Sequence, residues 1–146
     1  YKDYQRNPRA VIKTNKGDFT IELRADKAPR TVYNFLTLAE ANFYDGLIFH
    51  RVVPNFVIQS GCPYGNGWGG PGYYIREEYN DLWFDTGVAG MATSGKNTGG
   101  SQFFICLSPQ PHLDGRYTSF GEVTEGFDIA LSIDLMDMIR DIEIVY

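Results

Sequence analysis

Short β-prone runs divided by turn residues follow one another along most of this chain, and that spacing restricts the fold more than any other feature. Residues 10–14 read as a strand and Asn15-Lys16-Gly17 as a turn, since Gly17 tolerates positive φ. Over 18–24, Phe19, Ile21 and Leu23 alternate with Asp18, Thr20 and Glu22, which predicts a hairpin with one buried face. Further strands are expected at 48–53, 55–59, 87–93, 101–107, 118–123 and 142–145, with 73–75 a short additional run. Two helices interrupt them. One starts at Ala28-Pro29-Arg30, with Pro29 near the first helical position and Val32, Phe35, Leu36, Ala39 and Phe43 at helical spacing. The other spans 125–133. No regular βαβ alternation occurs, so the sheet is expected to be antiparallel. So many edges in a small domain are best removed by closure. The expected fold is mainly β: a closed eight-stranded antiparallel barrel capped by two α-helices, with residues 1–9 as a lead-in and 10–146 as the domain.

The 146 residues, 43% hydrophobic and 21% charged, are enough for one core and too apolar for disorder. Sixteen glycines, with ten Tyr and ten Phe, fit tight corners between aromatic strands. A net charge of -5 with no basic run argues against nucleic acid as a partner. No apolar run reaches the ~20 residues of a membrane span, and no signal peptide is visible. Because the chain begins at Tyr1, it reads as a processed protein or a domain of a longer one. The compartment is then the cytoplasm or, given an export signal or anchor ahead of Tyr1, the cell envelope. A monomer is expected. Two cysteines, Cys62 and Cys106, make no disulfide framework, and with only His50 and His112 beside them no zinc spacing emerges. Neither a metal nor a cofactor is expected.

Residues 49–61 read as a strand, a Pro-marked bend and a second strand, with an arginine set among Val and Ile. A buried strand accommodates arginine badly, so Arg51 faces water or a ligand. Alternation puts Arg51 and Val53 on one face, and the Pro54-Asn55 bend would bring Val57 and Gln59 beside them. Gln59 and Gln102 are likewise polar residues in apolar strands. Each alone reads as an outward-facing strand residue; together they suggest a non-covalent pocket. Covalent chemistry has no support, because Gly100-Ser101-Gln102 lacks the second glycine of a nucleophile elbow. Glu77-Glu78 lies in a charged run that reads as solvated surface. Residues 61–72 hold six glycines and two prolines, which excludes regular structure. No phosphate- or dinucleotide-binding motif is present.

Phe49-His50-Arg51-Val52-Val53-Pro54-x-Phe56-x-x-Gln59-x-Gly61 resembles the signature of the cyclophilin family of peptidyl-prolyl cis/trans isomerases. Gly99-Gly100-Ser101-Gln102-Phe103-Phe104-Ile105 resembles its second signature. Lys27-Ala28-Pro29-x-Thr31-Val32-x-Asn34-Phe35, Phe43-Tyr44-Asp45-Gly46, Met91-Ala92 and Leu113-Asp114-Gly115 follow in family order. The likeness runs from Ala10 to Val145. Gly61-Cys62-Pro63 and Gln110-Pro111-His112-Leu113 look like the short single-domain cyclophilins of bacteria.

The resemblance implies an isomerase of X-Pro bonds that assists protein folding, with proline-containing peptides and folding proteins as partners. It makes Arg51 the catalytic residue and gives a proline pocket of Phe56, Val57, Phe104 and Leu113. Gln59 and Gln102 would hold the peptide backbone, and Ala92 and Thr93 would present backbone groups to the residue before proline. Tyr117 stands where many relatives have histidine. His112 stands where many eukaryotic members have tryptophan, which argues against tight cyclosporin binding. Trp68, Ser94 and Ser101 would border a side pocket. Two other classes compete: a proline-peptide binding module without useful turnover, and a carbohydrate-binding β-domain suggested by Trp68, Trp83, Tyr73 and Tyr74.

Overall fold

A computed structural model describes residues 7–63, 72–73, 75–76, 78–93 and 100–145. In chain order the elements are β1 (Arg9–Thr14), β2 (Gly17–Leu23), α1 (Pro29–Glu40), β3 (Arg51–Val53), β4 (Val57–Ser60), β5 (Val88–Met91), β6 (Phe103–Cys106), a 3₁₀ turn (Pro111–Leu113), β7 (Ser119–Glu125), α2 (Phe127–Ser132) and β8 (Ile139–Val145). The strands form one sheet in the order β3-β4-β6-β5-β7-β2-β1-β8, every pair antiparallel. The expected hairpin of β1 and β2 forms, with Thr14 opposite Gly17 across Asn15-Lys16, so Gly17 opens β2 and is not part of the turn proper.

The sheet curls into a half-barrel. Closure had been expected from the strand count, but among the described residues no ladder joins the edge strands β3 and β8. One isolated bridge, Ile48 to Met138, stands in its place. Backbone bonds flank it, from Phe49 N to Asp137 O and from Ile139 N to Leu47 O, both 2.8 Å. These contacts explain why β3 starts at Arg51 and not at 48: the preceding residues have turned toward the start of β8. The strand expected at 73–75 is absent as such. Tyr73 lies in a bend, Ile75 makes a single bridge, and Tyr74 lies outside the described residues.

The main core lies between the concave sheet and α1. Val32, Phe35, Leu36 and Ala39 are buried on one helix face, as their spacing predicts. The helix stops at Glu40, short of Phe43. Phe35 sits 5.2 Å from Tyr44, 5.7 Å from Phe103 and 5.5 Å from Phe120 between ring centroids. Pro29 occupies the first turn, and Ala28 at the N-cap has no side-chain oxygen to offer the free N–H groups. A distant residue supplies it. Glu78 accepts from Arg30 N at 3.2 Å, Thr31 N at 2.6 Å and Thr31 Oγ1 at 2.9 Å. The acidic run is therefore not simply solvated surface.

A second, smaller core forms on the other side of the strands. Val57, Phe84, Val88, Phe104, Cys106 and Leu113 are buried together, with Phe56, Leu82, Ala92 and Tyr117 packed against them. Phe84 and Phe104 stack with centroids 5.4 Å apart. Gly90 makes room for both rings, since a Cβ there would lie 2.5 Å from Phe84 Cε1 and 2.7 Å from Phe104 Cζ.

Candidate active site

The hairpin of β3 and β4 organises the site. Its register sets Arg51 opposite Gln59, Val52 opposite Ile58 and Val53 opposite Val57. The bend at Pro54-Asn55-Phe56 is closed by Phe56 N donating to Val53 O at 3.0 Å. Asn55 takes φ 60°, a left-handed conformation that asparagine adopts more readily than most residues. The Arg51 guanidinium then lies over the Phe56 ring, 5.5 Å from Cζ to the centroid. Its Nη1 points to Gln59 Oε1 at 3.5 Å, a long contact. Gln59 Nε2 in turn donates to Gln102 Oε1 at 3.2 Å.

These side chains border a cleft of about 170 Å³. Arg51, Phe56, Val57 and Gln59 line it from the hairpin, Ala92 and Thr93 from the end of β5, and Phe104 from β6. Leu113 and Tyr117 close it from the segment before β7. The Tyr117 ring meets Phe104 edge-on, 5.8 Å away at 87°. Nine sequence-selected residues thus converge on one cleft whose floor is the second core. Gln102 reaches it through Gln59. His112 is exposed on the rim, its ring stacked on Phe56 at 6.0 Å. Trp68 and Ser94 lie outside the described residues. Ser101 does not act as a gate: it is 1% exposed, and its Oγ donates to Gly61 O at 2.6 Å. It ties two loops together instead.

Phe84 is the contributor that the sequence reading missed, because it lies just beyond the charged run around Glu77-Glu78 that reads as solvated surface. A signal existed in Leu82-Trp83-Phe84, where alternation leaves Trp83 58% exposed and Phe84 2% exposed.

Among the described residues lining the cleft there is no carboxylate, imidazole or thiol. Cys106 lies beneath it in the second core, and burial, with help from Asp114 and Asp85, pushes its thiol up to about 12. It stays protonated at neutral pH and is no nucleophile. His50 precedes Arg51 with both ring nitrogens out of water and, among the described residues, without a bonded partner. Burial holds its pKa below the ordinary value, the Arg51 charge adds to this, and the nearby Gln102 amide offsets part of it. Among the described residues the cleft offers one cation, Arg51, an apolar floor and amide groups. Such a set can grip a ring and hydrogen-bond a backbone, without proton or acyl transfer.

The family model described as cyclophilin type peptidyl-prolyl cis-trans isomerase/CLD matches residues 9–144. The chain belongs to the cyclophilin family. This cyclophilin is 49% identical over 138 residues to the peptidyl-prolyl cis-trans isomerase of Synechococcus elongatus, covering 93% of this chain and 95% of that one. It is 50% identical over 132 residues to the peptidyl-prolyl cis-trans isomerase B of Bacillus subtilis, covering 89% and 91%. A crystal structure of a Cryptosporidium parvum cyclophilin superposes with a TM-score of 0.90 at 35% identity, covering 96% of this chain and 98% of that one. A structure of that protein in the presence of the dipeptide Ala-Pro gives 0.87 at 34% identity, covering 94% and 98%. Among the described residues of this cyclophilin, no helix is long and apolar enough to cross a membrane.

Proposed function

We propose that this cyclophilin is a peptidyl-prolyl cis-trans isomerase in which residues 10–146 form the isomerase domain and Arg51 is the catalytic group. Rotation about a peptide bond is slow because resonance raises a barrier of ~18–20 kcal/mol. For X-Pro the end states are nearly equal in energy, so catalysis needs only to lower the barrier. In the twisted transition state the prolyl nitrogen becomes pyramidal and regains its lone pair. A donor aimed at it binds that state better than either ground state. Arg51 suits this role, being always charged, planar and fork-shaped. Phe56, Val57, Phe104 and Leu113 would hold the ring. Gln59 and Gln102 would anchor the flanking amides, and Ala92 and Thr93 would bond the residue before proline. The carbonyl side then turns while the ring stays seated, with no cofactor.

The observation that carries this reading is the pairing of Arg51 with Gln59 at the mouth of a cleft walled by Phe104 and Leu113. The Ala-Pro dipeptide present with the Cryptosporidium structure supports the same ligand class here. A proline-binding module would have no use for Arg51. We read the eight-stranded barrel as closed between its edge strands by the backbone bonds of 47–49 with 136–139, a reading these bonds support. His112 on Phe56 leaves no indole for cyclosporin, so that ligand should bind weakly.

Exchange spectroscopy on a short Ala-Pro peptide tests the reading. Catalysed exchange is expected with the native chain, and Arg51→Lys should lose on the order of 100-fold in rate, as for loss of a preorganised transition-state donor. Equal exchange by Arg51→Lys sinks the role of the arginine; no exchange by the native chain sinks the activity.

A further inference from the structure

Gln102 is preceded by a corner, Gly100-Ser101, that side chains from outside the cleft hold in place. Asn34 on α1 donates Nδ2 to Gly100 O at 2.8 Å. Tyr44 donates its hydroxyl to Ser101 O at 3.0 Å. Ser101 Oγ bonds Gly61 O, and Gly61 packs so closely that a Cβ there would lie 2.3 Å from Ser101 O. The other end of the Asn34 amide, Oδ1, accepts the hydroxyl of Tyr73. One amide therefore links Tyr73, at the far end of the glycine-rich segment, to Gly100, at the near end of β6.

Asn34 is an unusual residue for its place. It is 6% exposed in mid-helix, beside Val32, Phe35 and Leu36 on the apolar face. Asparagine is a poor helix former, and a buried amide is costly unless its groups are bonded. The amide uses one end as the donor to Gly100 and the other as the acceptor from Tyr73, so both of its polar groups are bonded. Neither Asn34 nor Tyr73 lines the cleft.

We propose that Asn34 is a positioning residue for the isomerase reaction: by holding the Gly100 carbonyl it sets the place of Gln102, with Tyr73 fixing the orientation of its amide. This rests on the reading of Gln102 as an anchor for the peptide backbone. Gln102 also accepts from Gln59, so a displaced corner disturbs both amides. An anchor that grips ground and transition states alike contributes to KM and not to kcat.

The test is a double-mutant cycle on KM and kcat, read from Ala-Pro peptide exchange against peptide concentration well below the unfolding temperature. Asn34→Ala should raise KM about fivefold, the scale of one hydrogen bond, with kcat kept within about twofold. In a Gln102→Ala background the same change should move KM by less than about twofold. Tyr73→Phe alters only a half-exposed ring and leaves the helix intact; it should raise KM about two- to threefold. Unchanged KM in Asn34→Ala overturns the proposal. So does an equal KM rise in the Gln102→Ala background, which assigns the effect elsewhere. If Asn34→Ala does not fold, Tyr73→Phe decides, and unchanged KM there overturns the proposal. Should Gln102→Ala alone leave KM unchanged, the anchor reading of Gln102 fails first and takes this inference with it.

Discussion

Arg51 and Gln59 face each other across adjacent strands, Nη1 to Oε1 3.5 Å, while Gln59 passes its own N–H to Gln102 at 3.2 Å. The guanidinium is thus steered from one side by an amide and from below by the Phe56 ring. Gln59→Leu keeps the hairpin and its bulk but removes the amide. The rate of X-Pro exchange should fall about threefold, less than a short charged hydrogen bond would give because the contact is long, with Arg51 still present. Retention of the full rate would show that Phe56 alone orients the arginine.

Activity should be flat between about pH 6 and 8, because the role proposed for Arg51 transfers no proton. A bell-shaped profile would instead implicate His50 or His112 as an acid or base.

Stability carries a different pH signature. The folded chain holds the pKa of His50 below its ordinary value through burial, then the Arg51 charge. Below the unfolded value of about 6.5, the unfolded chain takes up a proton that the folded chain refuses. The stability conferred by neutral His50 is therefore present above that pH and is lost as pH falls from there toward the folded pKa. Urea denaturation of the native chain and of His50→Gln, at pH 7 and pH 5.5, should show a drop in the first that is smaller in the second. Parallel drops would remove His50 from the account.

Glu78 caps α1 across 47 positions of sequence through Thr31 N, and bonds the Thr31 hydroxyl as well. Glu78→Ala should cost about 1 kcal/mol of unfolding free energy, as for loss of an N-cap, with kcat unchanged. Glu78→Gln keeps an acceptor and should cost less. A denaturation midpoint that does not move would mean that water replaces the carboxylate without loss.

Gly90→Ala drives a methyl into the stacked pair of Phe84 and Phe104. Overpacking of this kind costs about 1–3 kcal/mol. Because Phe104 lines the cleft, the KM for an X-Pro peptide should rise together with the loss of stability. A variant that loses stability alone would show that Phe84 absorbs the shift and Phe104 stays in place.

Much of this was legible in the residues themselves. The alternation of Phe19, Ile21 and Leu23, and the Pro54-Asn55 bend with Arg51 and Gln59 on either side, are local patterns, and local patterns survive folding. The site's convergence was readable only through family signatures, because β4, β5 and β6 meet by long-range pairing that no single segment encodes. Glu78 and Phe84 were misplaced for the same reason. The alternation at Leu82-Trp83-Phe84 is too short to outweigh the charged run before it, and their partners, Thr31 and Phe104, lie far away in sequence. Ser101 looked available as a small polar residue beside Gln102; its hydroxyl is spent on Gly61, a contact visible only in three dimensions.

The edge position of β3 has a consequence for solubility. An edge strand is where a second chain could add itself, and Val52-Val53 would suit that addition. The same three-residue strand carries Arg51, exposed and charged, and is followed at once by Pro54. Both features discourage a neighbouring strand from docking. The residue proposed for the chemistry is thus also the charge that this open edge presents. Valine in place of this arginine would leave three consecutive β-branched residues on an open edge.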